Sequence, residues 1–364
     1  MYTIMDYLDW RGDIPFEAVA CNEVDSLIFS ELVYTEMDRI FREGMSIREL
    51  CEAYEDACIS QDDFMFDPYP LLKKAAATAR FGPVKLRGFI NRINDRKRMQ
   101  FAAVTFVTGS DSIYVAYRGT DSTLTGWRED LNMSLGKATP GQVTAAMYIE
   151  DAAEYAENVY VGGHSKGGNF AVYAAAFCTE ETNRHIRHVW SHDGPGFPDD
   201  SAQDPEFLRI AGRTTHFIPE ASLVGILMRT PGERIIVRSN TLSYLQHNPY
   251  SWGLLGARFD LADELSGFAG YAETVLDSWL GGLSVKQRRM FIDTVFNALE
   301  GTGAATVQDI QQNPVKILAS FREEMHKADP QMQEAVSDIL KQLSARGFEE
   351  LKDTVSEKLG RKDK

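Results

Sequence analysis

Residues 158–177 read NVYVGGHSKGGNFAVYAAAF. A few strand-like residues run into glycines crowded round Ser165, and an apolar run at helical spacing follows. Gly163-His164-Ser165-Lys166-Gly167 fits the pattern G-x-S-x-G. A strand before that pattern and a helix after it make a sharp turn that lifts the serine hydroxyl above a sheet. Such a turn forces the serine into a strained backbone conformation. Bulky residues two positions to either side would collide where strand and helix meet, so glycine at 163 and 167 relieves the crowding, and Gly162 and Gly168 widen the margin. The competing reading is a glycine-rich turn that binds phosphate or merely packs tightly. The G-x-G-x-x-G and Walker patterns that would favour phosphate are absent.

Working outward, MQFAAVTFVTGSDSIYVAYRGT (99–120) alternates at Phe101, Ala103, Thr105 and Val107 and again at Ile113, Val115 and Tyr117. Turn residues Gly-Ser-Asp-Ser stand between, which predicts a β-hairpin. A helix is expected over 140–157, with Pro140 near its start. Strands are expected at 158–162, 188–192, 214–219 and 233–239. This β/α alternation predicts an α/β fold with a mostly parallel central sheet flanked by helices. Residues 22–56 carry Ile28, Leu32, Met37 and Ile40 on a rough helical period. Residues 68–96 suggest a second helix and then a turn at Gly82-Pro83. Residues 262–299 read as helical, and 304–364 as charged, amphipathic and helix-rich, with a frayed end at EKLGRKDK. Helical N-terminal and C-terminal additions are thus expected, with a main domain over 1–260 and a helical extension over 261–364.

The chain of 364 residues is 44% hydrophobic, enough for one large core plus an appendage or for two domains. Its net charge of −15 argues against nucleic acid and anionic membranes as partners. Cys21, Cys51, Cys58 and Cys178 have no metal-ligand spacing and are expected to be reduced. The N-terminus shows no basic segment before an apolar run, and no apolar run approaches transmembrane length, so a soluble cytoplasmic protein without stable membrane insertion is expected.

A serine hydroxyl becomes a nucleophile only with a base in hydrogen-bond reach, an acid to orient that base, and donors for the oxyanion. Of the seven histidines, His247 follows the last good strand, where the doubly wound hydrolase fold places its base. His164 sits inside the turn and reads as structural. The acid is open between Asp193, just past the strand at 188–192, and Glu220, just past the next one. Both keep the chain order serine, acid, histidine, and Asp193 is preferred. The oxyanion donors would be the N–H of Lys166 and the loop bearing Gly119 and Thr120.

These residues carry a resemblance. YVAYRGTDSTLTGWREDLN (114–132) resembles the F-R-G-[ST]-x-S…W…D-L stretch of class 3 (fungal-type) lipases, and GGHSKGGNFAVYAA is similar to their G-H-S-L-G-G-A-L-A turn. Residues 5–255 look like a bacterial lipase-class-3-like branch of the α/β-hydrolases. The resemblance implies Ser165 as nucleophile, Thr120 in the oxyanion hole and His247 as base. Lys166 stands where those lipases usually have leucine, which would put a charge near the mouth. Their acid follows a later strand as D-x-V-P, where this chain has Ser222, with Glu220 two residues earlier. SHDGPGF (191–197) instead resembles the L-D-P-A-G-P segment of pancreatic-type lipases and supports Asp193.

The expectation is therefore a serine hydrolase of lipid or small acyl esters working through an acyl-enzyme, with no cofactor or metal. Its alternatives are an acyltransferase or peptidase with the same three residues, or an inactive hydrolase-fold binding protein. The helical additions are candidates for a cap over the site or a homo-oligomer surface.

Overall fold

The alternating residues of 99–117 form two adjoining strands of a seven-stranded sheet in a computed structural model that describes residues 1–59, 67–94, 99–120, 124–198, 204–302 and 314–327 and a few isolated positions besides. Helices α1 (Ile4–Arg11), α2 (Glu23–Leu32), α3 (Ile47–Asp56) and α4 (Tyr69–Ala77) precede strands β1 (Lys85–Asn94), β2 (Met99–Val107) and β3 (Ser112–Tyr117). Then come α5 (Leu124–Asn132), α6 (Pro140–Ala153), β4 (Asn158–His164), α7 (Lys166–Phe177), α8 (Glu180–His185), β5 (Ile186–His192), α9 (Pro205–Ala211), β6 (Thr214–Pro219) and β7 (Glu233–Val237). Thr139 caps α6 through the Gln142 N–H, and Pro140 takes the first helical position, where no N–H is needed.

The strands lie in chain order from β1 to β7. β1, β2 and β3 pair antiparallel, and β3 through β7 pair parallel. The chain is therefore a mixed α/β protein with a mostly parallel central sheet. Right-handed crossovers repeated in one direction carry the connecting helices to one face. Ile113, Val115 and Tyr117 pack there with residues of α6, α7 and α9. The alternate residues Tyr114 and Ala116 face the other way and join the core of α1 to α4, as the two-residue period of a strand requires. The N-terminal helices thus supply the cover that the crossovers leave off.

Three expectations change. The helical period over 22–56 is broken into α2 and α3. Asn22 with Asp25 and Ser46 with Glu49 each form a capping box, and Gly44 between the helices takes a φ of 79°. Residues 85–94, grouped with a helical addition, are instead the edge strand β1. Its charged residues and its bulge at Gly88, where φ is 63°, suit an edge that must not recruit another strand. The helical stretch 262–299 is divided into α10 (Gly267–Gly282) and α11 (Val285–Glu300), because Ser284 caps a new start.

The chain forms two compact units, Met1–Asp263 and Glu264–Lys364. In the second, α11 packs against a helix over Pro314–Lys327. Apart from that helix and isolated positions, the expectations for 304–364 lie outside the described residues. Among the described residues, no helix is long and apolar enough to cross a membrane.

The N-terminal layer is tied down by a fully buried ion pair. Arg80 donates to both oxygens of Asp25 at 2.8 and 2.5 Å and to the carbonyls of Ile14, Val19 and Ala20. Tyr7 donates to Asp25 at 2.9 Å. Removing one member of such a pair strands the other in the core. Arg80→Met should lower the unfolding free energy by about 3–5 kcal/mol in urea denaturation, and Arg80→Met with Asp25→Asn by less.

Candidate active site

Ser165 stands between the end of β4 and the start of α7 with φ 56° and ψ −132°. That conformation is strained for a residue with a side chain. A Cβ at Gly163 would run into the Gly167 backbone and lie 2.6 Å from the Tyr117 carbonyl oxygen, and one at Gly167 would meet that same carbonyl. The glycines therefore let β3, β4 and α7 converge on one point. The Ser165 N–H donates to the His192 carbonyl at 2.9 Å, and its carbonyl accepts from Gly168 at 2.9 Å.

His247 ends a short turn, Ser243–His247, after β7. The preceding residue fastens that turn. Gln246 accepts from the Ala221 N–H and donates to the Thr241 carbonyl, and its own carbonyl takes the Trp252 indole N–H. The His247 ring lies between two partners. Its Nε2 is 3.1 Å from Ser165 Oγ, and its Nδ1 is 2.6 Å from Asp193 Oδ2.

Asp193 follows β5 with a φ of 50° and is fully buried. Its other oxygen, Oδ1, accepts from the Ser222 hydroxyl at 2.5 Å and from the Gly225 N–H at 3.0 Å. Burial alone would raise its pKa, but the hydrogen bond and charge of His247, with the Ser222 hydroxyl, hold it below the usual carboxylate value. A carboxylate, an imidazole and a hydroxyl in this order can pass the hydroxyl proton to the imidazole while the carboxylate steadies the resulting cation.

Sequence reasoning left Asp193 and Glu220 open. The structure brings Asp193 to His247, while Glu220 lies half-buried just past β6 with its N–H on the Val237 carbonyl. Because Asp193 already takes His247 Nδ1, no ring nitrogen is left for Glu220.

Lys166 departs from expectation. Its side chain does not stand at the mouth but turns inward and is 1% exposed. Its Nζ donates to the Gln100 carbonyl at 3.2 Å and to the Gln100 side-chain oxygen, and lies 3.6 Å from Glu129 Oε2. The buried Glu129 also accepts the Gln100 and Gly141 N–H groups, so an interior cation is compensated there. As the first residue of α7, Lys166 offers a backbone N–H that has no partner within the helix.

Thr120 lies past β3 at the same sheet edge, and its hydroxyl donates to Asp130 of α5 at 2.5 Å. The neighbouring Gly119 N–H donates to the Tyr34 hydroxyl at 3.0 Å.

Of the other six histidines, three are buried. His164 is buried against Glu31 and the His247 carbonyl. His192 bonds Ser26 Oγ at 2.8 Å, and burial pushes its pKa far down. Burial takes that of His216 to about 4. Among the described residues, no cluster of three or more His, Cys, Asp or Glu is arranged to hold a metal.

Glu31, Tyr34, Asp130 and Gln246 were not found from the sequence, because they come from elements far from the serine motif. A signal existed for Asp130 alone, in the D-L of the 114–132 stretch.

Asp193 gives a pH signature. A depressed native pKa confers stability that is present above the unfolded value of 3.8 and is lost as pH falls through the native value. Melting of wild type and Asp193→Asn should differ most near neutrality, with Asp193→Asn the less stable, and converge as the pH is taken down to about 2. A gap that stays constant to the acid end would contradict this.

A family model described as Mbeg1-like matches residues 75–297, more than half of the chain. A search of curated proteins finds no match.

Proposed function

The chain belongs to the Mbeg1-like family, and from that premise and the geometry at Ser165 we propose that it is a serine hydrolase of the α/β-hydrolase class acting on carboxylic esters. The observation that carries this reading is the hydrogen-bond chain from Asp193 Oδ2 through His247 to Ser165 Oγ, at 2.6 and 3.1 Å. Ser165 Oγ attacks the ester carbonyl carbon while its proton passes to His247 Nε2. Asp193 stabilises the imidazolium. The oxyanion is met by the N–H groups of Lys166 and Thr120, with the positive end of the α7 dipole behind them. When the carbon–oxygen bond to the leaving group breaks, the imidazolium returns its proton and the alcohol departs. Water then repeats the sequence on the acyl-enzyme, giving the acid and free Ser165.

The resemblance of 114–132 and 162–175 to class 3 lipases supports an acyl-ester substrate. So do Leu242 and Leu245, which are 43% and 47% exposed on and beside the turn that carries His247. Exposed leucines this close in sequence to His247 suit an apolar substrate.

A fluorophosphonate probe should label wild type at Ser165 and leave Ser165→Ala unlabelled. On p-nitrophenyl esters of graded chain length, His247→Ala and Asp193→Asn should each lower kcat by about 10⁴-fold or more. Glu220→Gln should stay within about twofold of wild type. An unlabelled wild type, or equal turnover by wild type and Ser165→Ala, would defeat the hydrolase reading.

A further inference from the structure

A second buried acid–base pair lies against the first. The His164 ring centroid is 4.7 Å from that of His247. Its Nε2 is 3.0 Å from the His247 backbone carbonyl oxygen, and its Nδ1 is 3.1 Å from Glu31 Oε1. A backbone carbonyl can only accept, so Nε2 carries a proton, and a carboxylate beside Nδ1 favours a second proton there. The Glu31 side chain is 5% exposed. The neighbouring His164 ring compensates that burial.

Other groups face the pair. Asp193 and His192 stand at the end of β5, Tyr34 follows α2, and Tyr250 follows the His247 turn. Burial would lower the His164 pKa. The charge and contact of Glu31, then Asp193 and the His247 carbonyl, hold it above the ordinary histidine value instead. Glu31 lies at the end of α2, outside the segment that the family model matches.

We propose that Glu31 and His164 are positioning residues for His247. Glu31 keeps the His164 ring doubly protonated and oriented, and the ring's Nε2–H grips the carbonyl of the residue whose imidazole reaches Ser165. The inference rests on the hydrolase reading above. Its physical content is that one residue, His247, is held at both ends. Asp193 fixes the imidazole, and the Glu31–His164 pair fixes the backbone that carries it. A displacement of about 1 Å in a reacting group is enough to lower a rate about 10²-fold.

The test combines ring ¹⁵N NMR of labelled histidine with the rate of fluorophosphonate labelling at Ser165. At about pH 7.5, above the ordinary histidine value, wild-type His164 should show two ring N–H groups, and in Glu31→Gln only one. Glu31→Gln should label Ser165 about 10²-fold more slowly. Its KM for p-nitrophenyl acetate should hold within about twofold, because substrate binding is untouched. Glu31→Asp, which keeps the charge, should recover part of the labelling rate.

A singly protonated His164 in wild type at that pH overturns the proposal, even where Glu31→Gln does not fold. So does a folded Glu31→Gln protein that labels as fast as wild type, and that result leaves the hydrolase reading standing. A wild type that takes no label removes the hydrolase reading and this inference with it.

Discussion

A hydroxyl can stand above the carboxyl edge of a parallel sheet only if the chain turns from strand to helix within a single residue, and that residue must then leave the comfortable regions of backbone space. Ser165 does so, at φ 56° and ψ −132°. Such a conformation costs on the order of 1–3 kcal/mol and persists only where its surroundings over-determine it. Here they do. The Ser165 N–H is taken by β5, the Gly163 and Gly167 backbones close on each other, and the next side chain, Lys166, runs down into the core to β2 and Glu129. The elbow is therefore bolted on the strand side, the helix side and from below. Relaxing it would require the buried cation of Lys166 to move.

The same device recurs through the first unit. Asp25 with Arg80, Glu129 with Lys166, Glu31 with His164 and Asp193 with His247 are acid–base pairs whose carboxylates are at or near full burial. In each the two members come from different elements. Buried pairs of this kind add little net stability over apolar replacements, but a broken one is heavily penalised. They act as registration pins, which suits a site whose parts come from the ends of β3, β4, β5 and β7 and from α2.

What the sequence reveals of this follows from range. Strands β4 to β7 and the β2–β3 hairpin are short runs with β-branched and aromatic residues bounded by turn residues, so local pattern suffices to find them. β1 escapes because KLRGFINRIN mixes charge, glycine and apolar residues, as an edge strand with a bulge does. The run through Met37 and Ile40 imitates a helix because turns there bury the same residues a helix would. Ser165, Asp193 and His247 could be named in advance because each follows the carboxyl end of a strand, and a parallel sheet gathers those ends at one edge. The direction of the Lys166 side chain could not be named. Nothing local to residue 166 records that Glu129 and Gln100 wait beneath it.

The choice of acid shows where local pattern stops and geometry begins. β5 and β6 are neighbours in parallel, with His192 opposite Phe217, so residues just past either strand emerge side by side. Chain order alone allows a carboxylate from either place. Two features distinguish Asp193. Its φ of 50° sets it at a sharp turn just past β5, and its N–H is anchored on the Phe217 carbonyl. The segment after β6 gives Asp193 Oδ1 two donors, the Ser222 hydroxyl and the Gly225 N–H. The approach of Gly225 is so close that a Cβ there would strike that oxygen. With Oδ1 taken by the segment after β6, Oδ2 faces His247. The segment after β6 thus holds the Asp193 carboxylate in place, with Ser222 and Gly225 on one of its oxygens and His247 on the other.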